Sequence, residues 1–225
     1  MARQLQHAVD LLAPRVRGTA LDIGSGDGSM TEIIAKNAPN GRLVAIDIAY
    51  NLTHQGKEGK DPSVTNIEYI VADASYLPFR DDAFDLVFAL GALHHVVALE
   101  RCVNDIARVC KDELVIVEPN KFSSQSLFLG SRAPFKFVFR GGLDPDERPI
   151  SPLLIKSILK RSRFKNMDIK AHTTIPGTYC VGELFRINAK WLITLLLLDE
   201  KITRIINKTF LRYFCSTFIL TSRAR

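Results

Sequence analysis

Long apolar runs are missing from this 225-residue chain. No stretch reaches the roughly 18–20 consecutive apolar residues that cross a bilayer as a helix. Cysteine is scarce: Cys102, Cys110, Cys180 and Cys215 form neither a CxxC pair nor a compact cluster. That argues against a structural zinc site and fits reduced, mostly buried thiols, so no metal is expected. The opening stretch MARQLQHAVDLLAPRVRG has no apolar run ahead of a small-residue cleavage site. No secretory signal peptide is therefore expected, and the setting is read as cytoplasmic. There is no internal repeat, low-complexity tract or clear linker, and the length suits one domain spanning 1–225.

Acidic residues are also scarce, but only in the second half. Residues 1–120 hold 11 Lys/Arg and 17 Asp/Glu, a net −6; residues 121–225 hold 19 Lys/Arg and 7 Asp/Glu, a net +12. A basic half points to an anionic partner such as nucleic acid, lipid head groups or a charged substrate, or else to an ordinary solvated surface.

From residue 18 to 118, short aliphatic runs alternate with polar stretches. The runs are TALDI (19–23), RLVAID (42–47), IEYIVA (67–72), FDLVFAL (84–90) and ELVIVE (113–118). Helical spacing appears between the first two, at Met30, Ile33 and Ile34, and between the last two, at Leu99, Val103, Ile106 and Cys110. Near-continuous apolar strands alternating with helices predict a parallel sheet covered on both faces, a doubly wound α/β fold. Further on, 151–162 reads as a helix with Ser151 as N-cap and Pro152 at its first position. Residues 167–175 read as a strand, 183–209 as a long helical segment, and FCSTFILTS (214–222) as the last strand.

The stretch LDIGSGDGSM (21–30) carries Gly24, Gly26 and Gly28 at a strand end, where ligands bind in parallel sheets. The dinucleotide fingerprint GxGxxG would need its third glycine at position 29, which is Ser29. No Gly-Lys-Ser/Thr follows, so a nucleoside-triphosphate loop is not indicated. Asp27 at the helix entrance would repel a pyrophosphate, and Asp22 adds a second negative charge. A ligand with a cationic or zwitterionic end suits this loop better. Asp47, closing the second strand, can accept from both hydroxyls of a ribose, and Asp73, closing the third, from an adenine amino group.

With those residues in view, the ordered segments ALDIGSGDGSMTEIIAK, VAIDIA, VADASYLPFRDDAFDLVFALGALHHV and DIARVC…LVIVEPN resemble the class I S-adenosylmethionine-dependent methyltransferases. The resemblance is strongest to the branch that includes ubiquinone and menaquinone biosynthesis enzymes and other small-molecule methyltransferases. It covers roughly residues 18–120, about half the chain. It implies a seven-stranded Rossmann-like sheet with the last strand antiparallel and inserted beside the sixth. It also implies that Asp22, Gly24, Gly26 and Gly28 lie under the methionine part of S-adenosylmethionine. Asp47 would hold the ribose, with Ile48 beside it in the cofactor site, Asp73 and the Ala74 backbone would contact the adenine, and Leu90 to His95 would face the methyl group and the acceptor. The family's Pro-Gly-Gly turn before the fifth strand is replaced by CKDE (110–113), and 177–210 is longer than a simple hairpin.

His94 and His95 are the candidate catalytic bases, since imidazole titrates near neutral pH; packing or cofactor contact is the other reading. The Asp/Asn-Pro-Pro-aromatic signature of many amino-group methyltransferases is replaced by ALGALHH, which disfavours nucleobase and glutamine acceptors. Two stretches, 122–140 and 189–208, interleave apolar and basic residues. They read as interfacial segments, or else the first lines or lids the acceptor pocket and the second packs on the sheet or in a dimer; 122–140 and 177–210 are expected to shape the acceptor site. A small hydrophobic or lipid-like acceptor is therefore expected, with peripheral membrane contact as an added reading. The alternatives are an RNA methyltransferase using the basic half and a non-catalytic cofactor-binding scaffold. An NAD oxidoreductase ranks behind these. Nothing in the sequence speaks to the oligomeric state.

Overall fold

The structure, a computed structural model, describes residues 2–122, 148–173, 189–209 and 217–224. Seven strands form one sheet: β1 (Thr19–Ile23), β2 (Arg42–Asp47), β3 (Ile67–Val71), β4 (Phe84–Leu90), β5 (Cys110–Pro119), β6 (Phe164–Thr173) and β7 (Thr217–Ala224). Their order across the sheet is β3-β2-β1-β4-β5-β7-β6. The first five pair in parallel, and β7 runs antiparallel between β5 and β6. This is the doubly wound α/β sheet with an inserted antiparallel strand that the sequence predicts.

Among the described residues six α-helices accompany it: α1 (Ala2–Leu12), α2 (Ser29–Lys36), α3 (Tyr50–Gly59), α4 (Leu99–Val109), α5 (Pro152–Leu159) and α6 (Ala189–Ile206). Successive strand residues point to opposite faces, so each buried strand feeds two cores. Leu21, Ile23, Val87, Ala89, Leu114 and Ile116 join one core with Val103 and Ile106 of α4 and Ile155 and Ile158 of α5. Ala20, Leu86, Phe88 and Val115 join the other, with Leu12 of α1 and Ile34 and Ala35 of α2. Burial on both faces is why these strands lack the polar–apolar alternation of a half-exposed sheet.

Local chemistry sets the helix ends. Ser151 caps α5 by accepting the Leu154 N–H on its side chain at 3.3 Å, with Pro152 in the first turn where no N–H is needed. Gly28, left-handed at φ 72°, starts α2. A side chain there would meet the Tyr69 ring, 2.3 Å from an ideal Cβ, so Gly28 both turns the chain and admits that ring.

Several boundaries differ from the sequence-based expectation. CKDE is not a turn: α4 runs straight into β5, which begins at Cys110. β6 starts at Phe164, three residues early, and β7 extends to Ala224. Helices α1 and α3 had no sequence-based expectation. Residues 123–140 and 177–188, assigned to the acceptor side from the sequence, lie outside the described residues, as do 174–175, 183–188 and 214–216 of the expected elements.

Replacing Ile106 by Ala should cost about 2–5 kcal/mol, because its fully buried side chain sits where α4 meets the sheet. Leu154→Ala on the half-exposed side of α5 should cost less than about 1 kcal/mol. Urea unfolding of the two variants checks the contrast.

Candidate active site

The register of the central strands sets the site. Ile23 of β1 stands level with Ile46 of β2 and with Ala89 of β4. Gly24, Asp47 and Leu90 therefore leave the sheet at one height, at the point where the chain has wound outward to β3 and returned to β4. Crevices form at such switch points. Here the crevice is a cleft of about 760 Å³ whose walls include Ile23, Gly24, Asp47, Ile48, Asp73, Ala74, Tyr76 and His95.

Of the residues singled out from the sequence, Gly24, Asp47, Ile48, Asp73, Ala74 and His95 line this cleft together. Asp47 is held by two backbone donors, the Gly26 N–H on Oδ2 at 2.8 Å and the Ala49 N–H on Oδ1 at 2.9 Å. Asp73 accepts the Ser75 N–H at 2.7 Å, closing a tight turn. At Gly24 (φ 69°) an ideal Cβ would lie 2.4 Å from the Ala92 Cβ, so the glycine lets the loop after β1 pass close to the loop after β4. Gly26 is also left-handed, and a side chain there would meet nothing within 4 Å. Beside it, the Ser25 hydroxyl is buried without a hydrogen-bond partner.

The remaining sequence candidates sit around the cleft rather than in its walls. Asp22 is buried beneath the glycine loop, where the Thr31 hydroxyl donates to its Oδ2 at 2.6 Å. Burial pushes its carboxyl up to about 7, with the nearby Asp47 charge adding to the effect and Thr31 opposing it. Gly28 packs against Tyr69. Leu90, half-buried, packs on the second core. His94 turns away from the cleft wall onto Glu118, its Nδ1 2.8 Å from Glu118 Oε2. Asp27 is exposed and accepts the Ser29 N–H at 3.0 Å, so a carboxylate already occupies the start of α2 where a phosphate would bind.

Three contributors went unnoticed in the sequence. Glu118, fully buried at the end of β5, accepts from the Ala92 and Leu93 N–H groups as well as facing His94. The clue was a carboxylate inside an otherwise apolar strand, since buried charges occur only with partners. Tyr76 forms part of the rim, with the Arg101 guanidinium 3.7 Å from its ring centroid. Arg108 holds the loop after β3 by donating to the Leu77 and Phe79 carbonyls and to Asp81 and Asp105.

The methyltransferase domain family matches residues 21–117. Among curated proteins, the malonyl-[acyl-carrier protein] O-methyltransferase of Geobacter sulfurreducens is 26% identical over 153 residues, covering 66% of this chain and 56% of that protein. The ubiquinone/menaquinone biosynthesis C-methyltransferase UbiE of Pseudomonas fluorescens is 32% identical over 172 residues, covering 73% of this chain and 63% of that protein. The chain thus spans less than two thirds of the length of either. Among solved structures, the YcgJ protein of Bacillus subtilis superposes with a TM-score of 0.64 at 18% identity over 98% of this chain and 99% of that one. An Aquifex aeolicus protein described as a SAM-dependent methyltransferase gives 0.60 at 16% identity over 97% and 89%. Both structures share the fold.

The raised Asp22 carboxyl has a testable consequence. The folded state holds a proton there up to about pH 7, whereas the unfolded chain releases it near 3.8. Stability contributed by the protonated group is complete below about pH 4 and is lost as pH rises toward 7. Urea midpoints of the wild type and Asp22→Asn, compared at pH 4.5 and 7.5, should move apart, with the wild type losing ground at the higher pH. Parallel midpoints would show that Asp22 does not titrate in this window.

Proposed function

We propose that the chain, whose residues 21–117 match the methyltransferase domain family, is a class I S-adenosylmethionine-dependent methyltransferase, and that its cleft transfers the cofactor's methyl group to a small, hydrophobic or lipid-like acceptor. The observation carrying this reading is one cleft in which Asp47 and Asp73, poised for a nucleoside, meet an apolar rim. Val97 in that rim is 83% exposed and Ile48 70% exposed.

The residues present fit the cofactor. Gly26 leaves open space and the Ser25 hydroxyl lacks a partner, so this loop can take the amino-acid end. Asp47 would hold the ribose hydroxyls, and Asp73 with the Ala74 backbone the adenine. Ile48 would cover one side of the base. Asp22, Gly24 and Gly28 shape the loop from below. The cofactor, when bound, supplies an electrophilic methyl group on a sulfonium. The protein's part is to align an acceptor at the Gly91–His95 end and to keep water out. The walls there, Val96, Val97 and Ala98, suit an apolar body. Where the acceptor must lose a proton, His95 is the imidazole that can receive it, because it lines the cleft. The names of the two curated relatives, a quinone-pathway methyltransferase and an acyl-carrier methyltransferase, are consistent with apolar acceptors.

A second observation supports peripheral membrane contact. No described helix is long and apolar enough to cross a membrane. Helix α6, however, exposes Leu197, Leu198 and Ile205 together with Lys201 and Arg204, and Lys208 follows just beyond its end. Just past its end, Asn207 ties the chain to β6 by accepting the Ala171 N–H and donating to the Ala171 carbonyl. An exposed face mixing aliphatic and cationic side chains fits an anionic lipid surface.

Calorimetry should show binding of S-adenosylmethionine and S-adenosylhomocysteine and none of NAD. Asp47→Ala should weaken the former roughly 10–100-fold, as expected for hydrogen bonds to a charged group. NAD binding in place of the sulfonium cofactor would overturn the reading. In co-sedimentation with vesicles containing phosphatidylglycerol at low salt, the wild type should pellet. The triple variant Lys201→Glu, Arg204→Glu, Lys208→Glu should stay in the supernatant. A wild type that never pellets rejects membrane contact.

A further inference from the structure

We propose that Glu118 is a positioning residue, which holds His94 in one tautomer and through it sets His95 in the cleft; this rests on reading the Gly91–His95 end as the methyl-transfer end. The geometry is compact. Glu118 is fully buried at the end of β5, one residue past the pairing of Leu90 with Val117. Its Oε1 lies 2.9 Å from the Ala92 nitrogen and 2.7 Å from the Leu93 nitrogen, both donating. Its Oε2 lies 2.8 Å from His94 Nδ1. The three contacts are to consecutive residues of the loop that leaves β4. One carboxylate therefore fixes that loop's path.

A buried carboxylate is costly unless donors surround it. With Oε1 taking two backbone N–H groups, Oε2 can accept a third, and among the described residues His94 Nδ1–H provides it. That selects the Nδ1–H tautomer of His94, the minority form of free imidazole, and fixes the plane of the ring. The His94 backbone is anchored as well, since its carbonyl accepts the Arg148 N–H at 3.0 Å. The His95 ring rests against the His94 ring, with centroids 4.0 Å apart at 39°. His95 is the member of the pair that lines the cleft. Constraint thus passes from Glu118 to His94 and from His94 to the imidazole that meets the acceptor.

Imidazole nitrogen shifts of the full chain, labelled with 15N-histidine, read the tautomer directly and require no acceptor. His94→Gln and His95→Gln variants assign the signals. In the wild type, His94 should carry its proton on Nδ1. Glu118→Gln keeps a carbonyl for the two backbone donors but turns an amide N–H toward Nδ1, so His94 should switch to Nε2–H. His95 should shift when S-adenosylhomocysteine is added to the wild type, and that response should shrink in Glu118→Gln. In His94→Asn, whose amide can still donate to Glu118, the response should be larger than in His94→Ala. A proton on Nε2 of His94 in the wild type would overturn the proposal, as would a Glu118→Gln variant with tautomer and response unchanged. Should Glu118→Gln fail to fold, the wild-type tautomer and the His94 pair decide. Failure of S-adenosylhomocysteine to bind the wild type would count against the cofactor reading and leave the tautomer measurement standing.

Discussion

The parallel register of β1 with both of its neighbours is the constraint on which this molecule depends. Because Ile23 is level with Ile46 on one side and Ala89 on the other, the loops after β1, β2 and β4 emerge together. The pairing of Leu90 with Val117 then delivers Glu118 beneath the last of them. A slip of one residue in any of these pairs would turn its side chains to the opposite core. Two packed cores, on the two faces of the sheet, therefore lock the same register that assembles the cleft.

Two buried carboxylates stand at the ends of these strands, and the fold treats them differently. Asp22 has one side-chain donor, the Thr31 hydroxyl, and burial leaves its carboxyl poised to hold a proton. Glu118 has three partners drawn from consecutive residues. One donor leaves an acid that is sensitive to what approaches it. Three make an acid that organises what surrounds it. The first lies under the glycine loop after β1 and the second under the loop after β4. Each arrangement matches the loop above it.

Most of the sheet and several walls of the cleft were legible in the sequence, because continuous aliphatic strands and glycine turns are local signals. Strands β1 to β4 fall within a residue of the apolar runs that announced them. The start of β5 was missed because Cys110 continues the apolar spacing of the preceding helix and Lys111 and Asp112 are polar, while the pairing with β4 is a tertiary matter. Helix α3, YNLTHQGKEG, has little apolar periodicity of its own, and its contacts with β2 and β3 hold it in place. Within the site, Gly24, Asp47 and Asp73 announced themselves by standing at strand ends. The division between His94 and His95 could not be seen, since adjacent residues in one short turn are separated only by what packs against each. The buried Glu118 makes that distinction, 24 residues away from His94.

At the carboxyl end of β5 the chain passes through a narrow neck. Ile150 donates its N–H to the Pro119 carbonyl, and Lys121 donates to the Ile150 carbonyl. Asn120 and Ile150 form a bridge, and the Arg148 N–H reaches His94. Departure and return are thus sealed together beside the Gly91–His95 end of the cleft. The two passes of the chain at this point are thereby tied to each other and to the loop after β4, so a change in either pass reaches the wall of the cleft.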